Sequence, residues 1–339
     1  MARKKDYRKA ATNRALEYVR KVENHCPTLT KLGRNLTKAY LEGKLDEVYN
    51  RDTIVVEIQK ILLRKSKANV LLTGPAGCGK TAIAERLAAV LANRSIAYCE
   101  NDIRETERYE KALDEWRKNP VYDDDGDYSD EYLSSQPMKN EVEKPYQSEI
   151  VLFELSLTSL AAGMRYVGDI EERVDKVIAE CRAIPNVVLF IDEIHQIVGC
   201  GKGEHSNAVA QMFKPALARR EMCVVGATTT EEAEVIRKDK ALARRFNEIA
   251  VRPLAGDGAV TTADNILADY SKYHGVAVEG DVSREIISAL STLLPKSVFP
   301  DNFINVVDET LAGAKFDGYA KVDMSHFTAV LSRMAGAVS

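Results

Sequence analysis

No stretch of this sequence is apolar for long enough to cross a membrane, which excludes a helical spanning segment. The opening residues Met1-Ala2-Arg3-Lys4-Lys5-Asp6-Tyr7-Arg8 are basic but lead into no apolar signal core, so a cytoplasmic location is expected. The six cysteines (26, 78, 99, 181, 200 and 223) include no C-x-x-C spacing, which argues against a zinc site or a disulfide framework and for reduced thiols. Charge of neither sign dominates. A net charge of −4 excludes a generic polyanion binder, and no DNA-reading helix is recognisable. What is present is a hydrophobic fraction of 45%, ample for the core of one large or two modest domains in 339 residues.

The most informative run is Gly74-Pro75-Ala76-Gly77-Cys78-Gly79-Lys80-Thr81, which fits G-x-x-x-x-G-K-[ST] at every fixed position. The apolar run Asn69-Val70-Leu71-Leu72 before it reads as a buried strand, and Thr81-Ala82-Ile83-Ala84-Glu85-Arg86-Leu87 after it reads as a helix. In that context the glycines bring backbone N–H groups close to an anion, and the helix adds its positive end. Lys80 is expected to reach the β- and γ-phosphates, and Thr81 to hold Mg²⁺. Cys78 sits inside the loop, where a small packing residue is the simplest reading. A second motif, Asn186-Val187-Val188-Leu189-Phe190-Ile191-Asp192-Glu193, is a central parallel strand ending in two carboxylates. Asp192 suits a metal, commonly through water, and Glu193 suits polarising an attacking water.

Three regions follow in chain order. Residues 1–27 form a basic segment with helical spacing at Ala15, Leu16, Val19 and Val22, ending at Cys26-Pro27. Its cations suit either a solvated face or an acidic partner. Residues 28–253 alternate strands and helices, with strands expected at 69–73, 150–155, 187–192, 222–226 and 248–252. This is an α/β domain on a five-stranded parallel sheet, with ligand at the strands' carboxyl ends. Residues 100–148 interrupt the rhythm. Tyr122-Asp123-Asp124-Asp125-Gly126-Asp127-Tyr128-Ser129-Asp130-Glu131 is too acidic to bury, so a surface insertion is expected, partly disordered, with one helix around Trp116. It suits a solvated spacer or an adaptor site. Residues 254–339 read as a small helical domain, with helices starting after Thr261-Thr262, after Asp281, at Pro300-Asp301 and after Asp323.

Together these motifs resemble AAA+ ATPases, specifically the first ATPase module of the Clp unfoldases. The likeness begins at Leu29-Thr30-Lys31-Leu32-Gly33-Arg34-Asn35, runs through Arg51-Asp52 and the phosphate loop, and resumes at Gly163-Met164-Arg165-Tyr166-Val167-Gly168. Phe190-Ile191-Asp192-Glu193-Ile194-His195, Gly226-Ala227-Thr228-Thr229 and Ala241-Leu242-Ala243-Arg244-Arg245-Phe246 follow in family order. The resemblance implies a P-loop large domain with a helical lid, and ATP with Mg²⁺ as its ligands. It implies a ring, usually a hexamer, acting on protein substrates, with a peptidase or an adaptor as a further partner. Thr229 falls at the sensor position, to orient water or feel the γ-phosphate. Arg244 and Arg245 fall at the arginine fingers that reach a neighbouring subunit's nucleotide. Arg165, Tyr166, Val167 and Gly168 fall on the first pore loop, whose aromatic grips an extended polypeptide, and Gly199-Cys200-Gly201-Lys202-Gly203 on a weaker second one. Val48 and Tyr49 fall where adenine contacts are expected.

The sequence departs from the family in places. Asn50 stands where Gly is usual, and Asn302 replaces a Lys, which removes a cation from the nucleotide's surroundings. No large N-terminal adaptor domain, coiled-coil insertion, second ATPase module or peptidase-docking loop is recognisable, which reads as a stand-alone single ring. The leading expectation is therefore an ATP-dependent unfoldase. A nucleic-acid-linked AAA+ ATPase of the helicase-loader or initiator type and a non-catalytic assembly ATPase are the competing readings.

Overall fold

The computed structural model describes residues 2–65, 68–125, 127–145, 148–163, 167–198, 204–219 and 221–338. Six strands form its main sheet: β1 (Arg34–Asn35), β2 (Asn69–Thr73), β3 (Val151–Glu154), β4 (Val187–Ile191), β5 (Cys223–Thr228) and β6 (Phe246–Ala250). Their spatial order is β1-β3-β4-β5-β2-β6. The five longer strands are parallel, as expected from the helical patterns between them. The sixth is a two-residue antiparallel edge that pairs Arg34 with Glu154 and Asn35 with Phe153, too short to leave a period-two signal. The hydroxyl of Thr37 continues its work by accepting from the Leu152 N–H at 2.9 Å, so the outer edge of β3 is covered.

Helices cover both faces. The first part of the chain supplies α1 (Ala2–His25), α2 (Pro27–Leu32), α3 (Leu36–Leu41) and α4 (Asp52–Leu62), and the stretch between β2 and β3 supplies α5 (Lys80–Lys118) and α6 (Asp130–Ser134). Then come α7 (Leu157–Ala161), α8 (Val167–Ala183), α9 (Glu204–Arg219), α10 (Ala233–Lys238) and α11 (Lys240–Ala243). Strand alternation divides the core. Leu71, Phe153, Leu189 and Ile191 pack with Val174, Val177, Phe213 and Leu217 of α8 and α9. Val70, Leu72, Val188 and Phe190 pack with Val55, Ile58, Ile83 and Leu87 of α4 and α5. Burial on both faces explains why β4 is apolar throughout and β2 apolar at Val70, Leu71 and Leu72.

The remaining chain is helical: α12 (Gly256–His274), α13 (Ser283–Leu293), α14 (Asp301–Phe316) and α15 (Met324–Val338), with a two-stranded pair β7 (Ala277–Val278) and β8 (Lys321–Val322). Ile286, Leu290, Phe303, Val307, Leu311 and Phe327 form a separate core there. Three helix starts fall where caps predict them. The fourth, α12, begins at Gly256, ahead of Thr261-Thr262. Those hydroxyls bond back to the carbonyls of Asp257 and Gly258, at 2.9 and 2.8 Å, so they lie inside the helix and do not cap it.

The segment expected to break at residue 100 behaves differently. Helix α5 continues without interruption through 39 residues, roughly 58 Å at 1.5 Å per residue. It can do so because α1 lies along it. Ala11 and Ala15 meet Ile96 and Cys99 in a small core of their own, Tyr7 donates to Glu107 at 2.5 Å, and Arg14 pairs with Asp102 at 2.6 Å. Beyond the helix, the acidic stretch folds around stacked rings. Trp116 and Tyr132 stack at 4.3 Å, and Tyr128 joins Tyr132 at 5.4 Å and Tyr122 at 5.2 Å. The Asp side chains stay exposed, as their charge requires.

Candidate nucleotide site

The site lies where the sheet's order switches, since the strands that succeed β2 go to opposite sides of it. A cavity of about 410 Å³ opens at the strand ends. It is lined by Ala76, Gly77, Gly79, Lys80 and Thr81 of the loop after β2, by Asp192 and Glu193 after β4, and by Thr228, Thr229 and Glu232 after β5. Pro300, Asp301 and Ile304 close it from the helical domain. Its size falls in the range of small-ligand pockets.

The loop geometry depends on glycine at two places. A Cβ on Gly74 would stand 2.3 Å from the Val251 carbonyl oxygen, so no other residue fits without moving backbone. Gly77 has φ +76°, and a Cβ there would meet the Asp301 Cβ at 2.8 Å. Lys80 Nζ donates to the carbonyls of Gly74 and Pro75 at 2.8 and 2.9 Å, which holds its ammonium across the loop. Thr81 Oγ1 donates to Asp192 Oδ2 at 3.0 Å. That bond joins the two sequence motifs at one point, so the hydroxyl and the carboxylate can serve as ligands of one Mg²⁺.

Glu193 has φ +50°, a left-handed conformation uncommon for such a residue and typical of constrained functional turns. Its backbone N–H donates to Asp192 Oδ1 at 2.9 Å, and its Oε2 accepts from Gln196 Nε2 at 2.6 Å. Both carboxylates are exposed to the cavity. Thr229 Oγ1 donates to Glu232 Oε2 at 2.8 Å. Burial pushes the Glu232 carboxyl up, but the hydrogen bonds from Thr229 and Thr228 and the nearby His195 outweigh it, so its pKa lies below the usual range. Glu232 carried no recognised signal in the sequence, and His195 stood there only as the last residue of a motif; their partnership exists only once the turn after β5 meets the segment after β4.

Arg51 is a second residue whose weight only the fold reveals. It is 5% exposed and finds no carboxylate among the hydrogen bonds of the described residues. It donates to the carbonyl oxygens of Arg252 at 3.0 Å and Cys78 at 2.6 Å. Burial pulls its pKa below the usual guanidinium value without discharging it. Because a trans peptide sets N–H opposite C=O, pinning the Cys78 carbonyl also fixes the direction of the Gly79 N–H, in a loop residue that lines the cavity. A buried cation beneath the loop also favours an anion above it. Cys78 itself is buried, and burial raises its thiol pKa against the pull of Lys80 and Arg51, which suits a packing role.

Other predicted site residues lie elsewhere. Neither Val48 nor Tyr49 lines the cavity; the Tyr49 hydroxyl donates to Asp269 of α12 at 2.8 Å. Burial, and then that carboxylate, raises the Tyr49 pKa. Asn50 has φ +55°, which explains how it can stand in for glycine, and its amide donates to the Gly258 carbonyl at 3.0 Å and Thr262 Oγ1 at 2.7 Å. Arg244 caps α11 and is exposed, Arg245 is half-buried, and neither lines the cavity of its own chain. Of the first pore loop, Arg165 and Tyr166 lie outside the described residues, while Val167 and Gly168 open α8. Residues 199–203 also lie outside them. From α8, after that first loop, Arg173 donates to the carbonyls of Ser159, Leu160 and Ala162 before it, at 3.1 to 3.2 Å, and so caps α7.

The model of the ATPase family associated with various cellular activities (AAA) matches residues 70–254, the span from β2 to just past β6. The chain belongs to the AAA family. Within it the chain is a Clp-type AAA+ ATPase. It is 32% identical over 288 residues to the ATP-dependent Clp protease ATP-binding subunit ClpL of Staphylococcus aureus strain USA300, a match covering 84% of this chain and 34% of ClpL. The chain thus spans about a third of the length of the curated relatives it matches. Among solved structures it is similar to the S. cerevisiae Hsp104–ADP complex, with a TM-score of 0.67 and 29% identity over 91% of this chain and 45% of that one. The closed state of Hsp104 with ATPγS and FITC-casein matches with a TM-score of 0.66 and 29% identity, over the same shares of the two chains. No helix among the described residues is long and apolar enough to cross a membrane.

Proposed function

We propose that this AAA chain binds and hydrolyses Mg²⁺-ATP in the cavity after β2, and that it works as a ring that remodels or unfolds protein substrates by drawing polypeptide through a central pore. The observation that carries the reading is the Thr81–Asp192 bond, which brings phosphate loop and acidic strand end to one cavity with Lys80. In this reading the phosphates lie against the loop N–H groups and Lys80, with Thr81 and Asp192 as ligands of Mg²⁺. The metal supplies neutralisation of phosphate charge. Glu193 takes the proton of the attacking water through Oε1, while Oε2 accepts from Gln196. Arg244 and Arg245 do not line their own cavity, as would be so for fingers serving a neighbouring copy.

The substrate half of the proposal rests on likeness: ClpL is named as the ATP-binding subunit of a Clp protease, and Hsp104 has been solved with casein. The test is ATP turnover and particle mass measured across protein concentration, with and without an unfolded protein. We expect a hexamer, turnover per chain that rises with concentration, and stimulation by unfolded protein that Tyr166→Ala removes. Turnover indifferent to concentration and to unfolded protein would sink the ring-unfoldase reading. Salt-dependent stimulation by DNA would replace it with the nucleic-acid one.

A further inference from the structure

The turn after β5 carries a bonding pattern that fixes what the Thr229 hydroxyl can do. One oxygen, Glu232 Oε2, stands 2.8 Å from Thr229 Oγ1, 3.2 Å from the Thr229 N–H, 3.2 Å from Thr228 Oγ1 and 3.3 Å from His195 Nδ1. His195 Nδ1 also lies 3.0 Å from Thr228 Oγ1. An ionised carboxylate can only accept, so the single hydroxyl proton of Thr229 is directed at Glu232. The Glu232 N–H in turn donates to Thr229 Oγ1 at 3.2 Å, which occupies one lone pair. A single acceptor site remains on that oxygen, and Thr229 lines the cavity with Glu193 and Lys80.

We propose that Glu232 is a positioning residue that holds the Thr229 hydroxyl as a hydrogen-bond acceptor toward the cavity. So held, Thr229 accepts from a water and helps to aim it, and it has no proton to give to a γ-phosphate oxygen, which needs a donor. This rests on the reading that ATP occupies the cavity. It decides between two roles that the position alone leaves open, and it assigns the decision to a residue outside the recognised motifs.

The test compares the affinities of ATPγS and ADP by titration calorimetry, beside ATP turnover, in the full chain. Thr229→Val should lower kcat about tenfold or more, as losing a water-orienting group does, while the ratio of ATPγS to ADP affinity stays within about twofold. Glu232→Ala frees the hydroxyl to donate, so it should lower kcat yet shift the ratio toward ATPγS by about tenfold, the worth of a hydrogen bond to a charged group. Adding Thr229→Val to Glu232→Ala should return the ratio to that of the wild type. Glu232→Gln, whose amide oxygen still accepts, should keep the wild-type ratio and part of the turnover, which separates this role from a general loss of folding. The proposal is overturned if Thr229→Val alone weakens ATPγS relative to ADP by about tenfold, because the hydroxyl would already be a donor. It is also overturned if Glu232→Ala moves neither kcat nor the ratio. Lys80→Ala reports separately on the parent reading: unchanged ATPγS binding there would remove the nucleotide site and this proposal together.

Discussion

The nucleotide cavity and the far end of α5 are built on opposite principles. The cavity gathers side chains from segments far apart in sequence, with Thr81 and Asp192 111 residues apart, yet each stands at the end of a strand or the start of a helix. Such positions have local signatures. The far end of α5 is made largely of neighbours in sequence: Trp116 and Tyr132 are 16 residues apart, exchange hydrogen bonds through Nε1–H and the tyrosine hydroxyl, and stack. Its form depends on which rings meet, and no short motif announces that. Chemistry at the first region should therefore be lost by single substitutions that leave the fold intact. The second should respond in local stability and leave the chemistry alone.

The sharpest contrast comes from Glu193→Gln. Removing a positioned general base should lower turnover by about 10² to 10⁴ while ATP binding persists, because Lys80 and the loop are untouched. Steady-state hydrolysis beside nucleotide titration reads both. Normal turnover in that variant would take the base role from Glu193 and blunt the distinction between the regions.

Arg51→Met comes next, and it spans both categories because Arg51 belongs to the framework of the site. The apolar replacement removes a buried charge but leaves the Cys78 and Arg252 carbonyls without partners, a loss of about 2–4 kcal/mol. The Gly79 peptide is also released. We expect a lower Cm in urea together with weaker ADP binding. A variant equally stable that binds ADP as the wild type does would show that the loop holds its shape unaided.

Much of this was legible beforehand, and the reasons are physical. The central strands β2 and β4 are buried along their whole length, so their middles read as continuous apolar runs, whereas the edge strand β6 mixes buried and exposed residues. The phosphate loop and Asp192-Glu193 are legible because anion and metal chemistry admit few residue types there. What escaped depends on tertiary pairing. The stripe Ala15, Val19, Val22 marks one face of α1, but nothing in it specifies that α5 is the partner lying beside its N-terminal half. Helix α5 looked interrupted because its outer half is polar; it persists by packing along α1 and by ion pairs such as Arg14–Asp102. Glu232 was silent, and Arg51 was marked only as part of a motif with no role attached, for the same reason: their partners are hydroxyls oriented by a turn and a carbonyl 27 residues away.

Tyr132→Phe probes the second region with a small perturbation. It keeps the stack and removes only the hydroxyl that donates to the Trp116 carbonyl at 3.0 Å, a loss of about 1 kcal/mol. Trp116 is the only tryptophan in the chain, so fluorescence excited at the red edge, where tyrosine does not absorb, reports this module alone. Its denaturant midpoint should fall while ATP turnover stays at the wild-type value. A parallel loss of turnover would mean that the far end of α5 communicates with the loop at its start, and the division drawn above would fail.

The smallest effect should come from Cys78→Ala, even though Cys78 lies in the middle of the phosphate loop. Its side chain is fully buried, its sulfur lies against Gly74, where a Cβ would come within 3.0 Å of Sγ, and Cys78 does not line the cavity. Losing that sulfur leaves a void about the size of a methyl group, a cost of about 1 kcal/mol. Burial raises its thiol pKa, so little thiolate forms near neutral pH, and the fraction grows only as pH rises beyond the ordinary thiol range near ~8.5. Alkylation by iodoacetamide at pH 7 should therefore be slow, and Cys78→Ala should bind ADP within about twofold of the wild type. Rapid labelling at pH 7 that ADP blocks would place the thiol among the groups that meet nucleotide, and would make Cys78 a point at which oxidation governs the site.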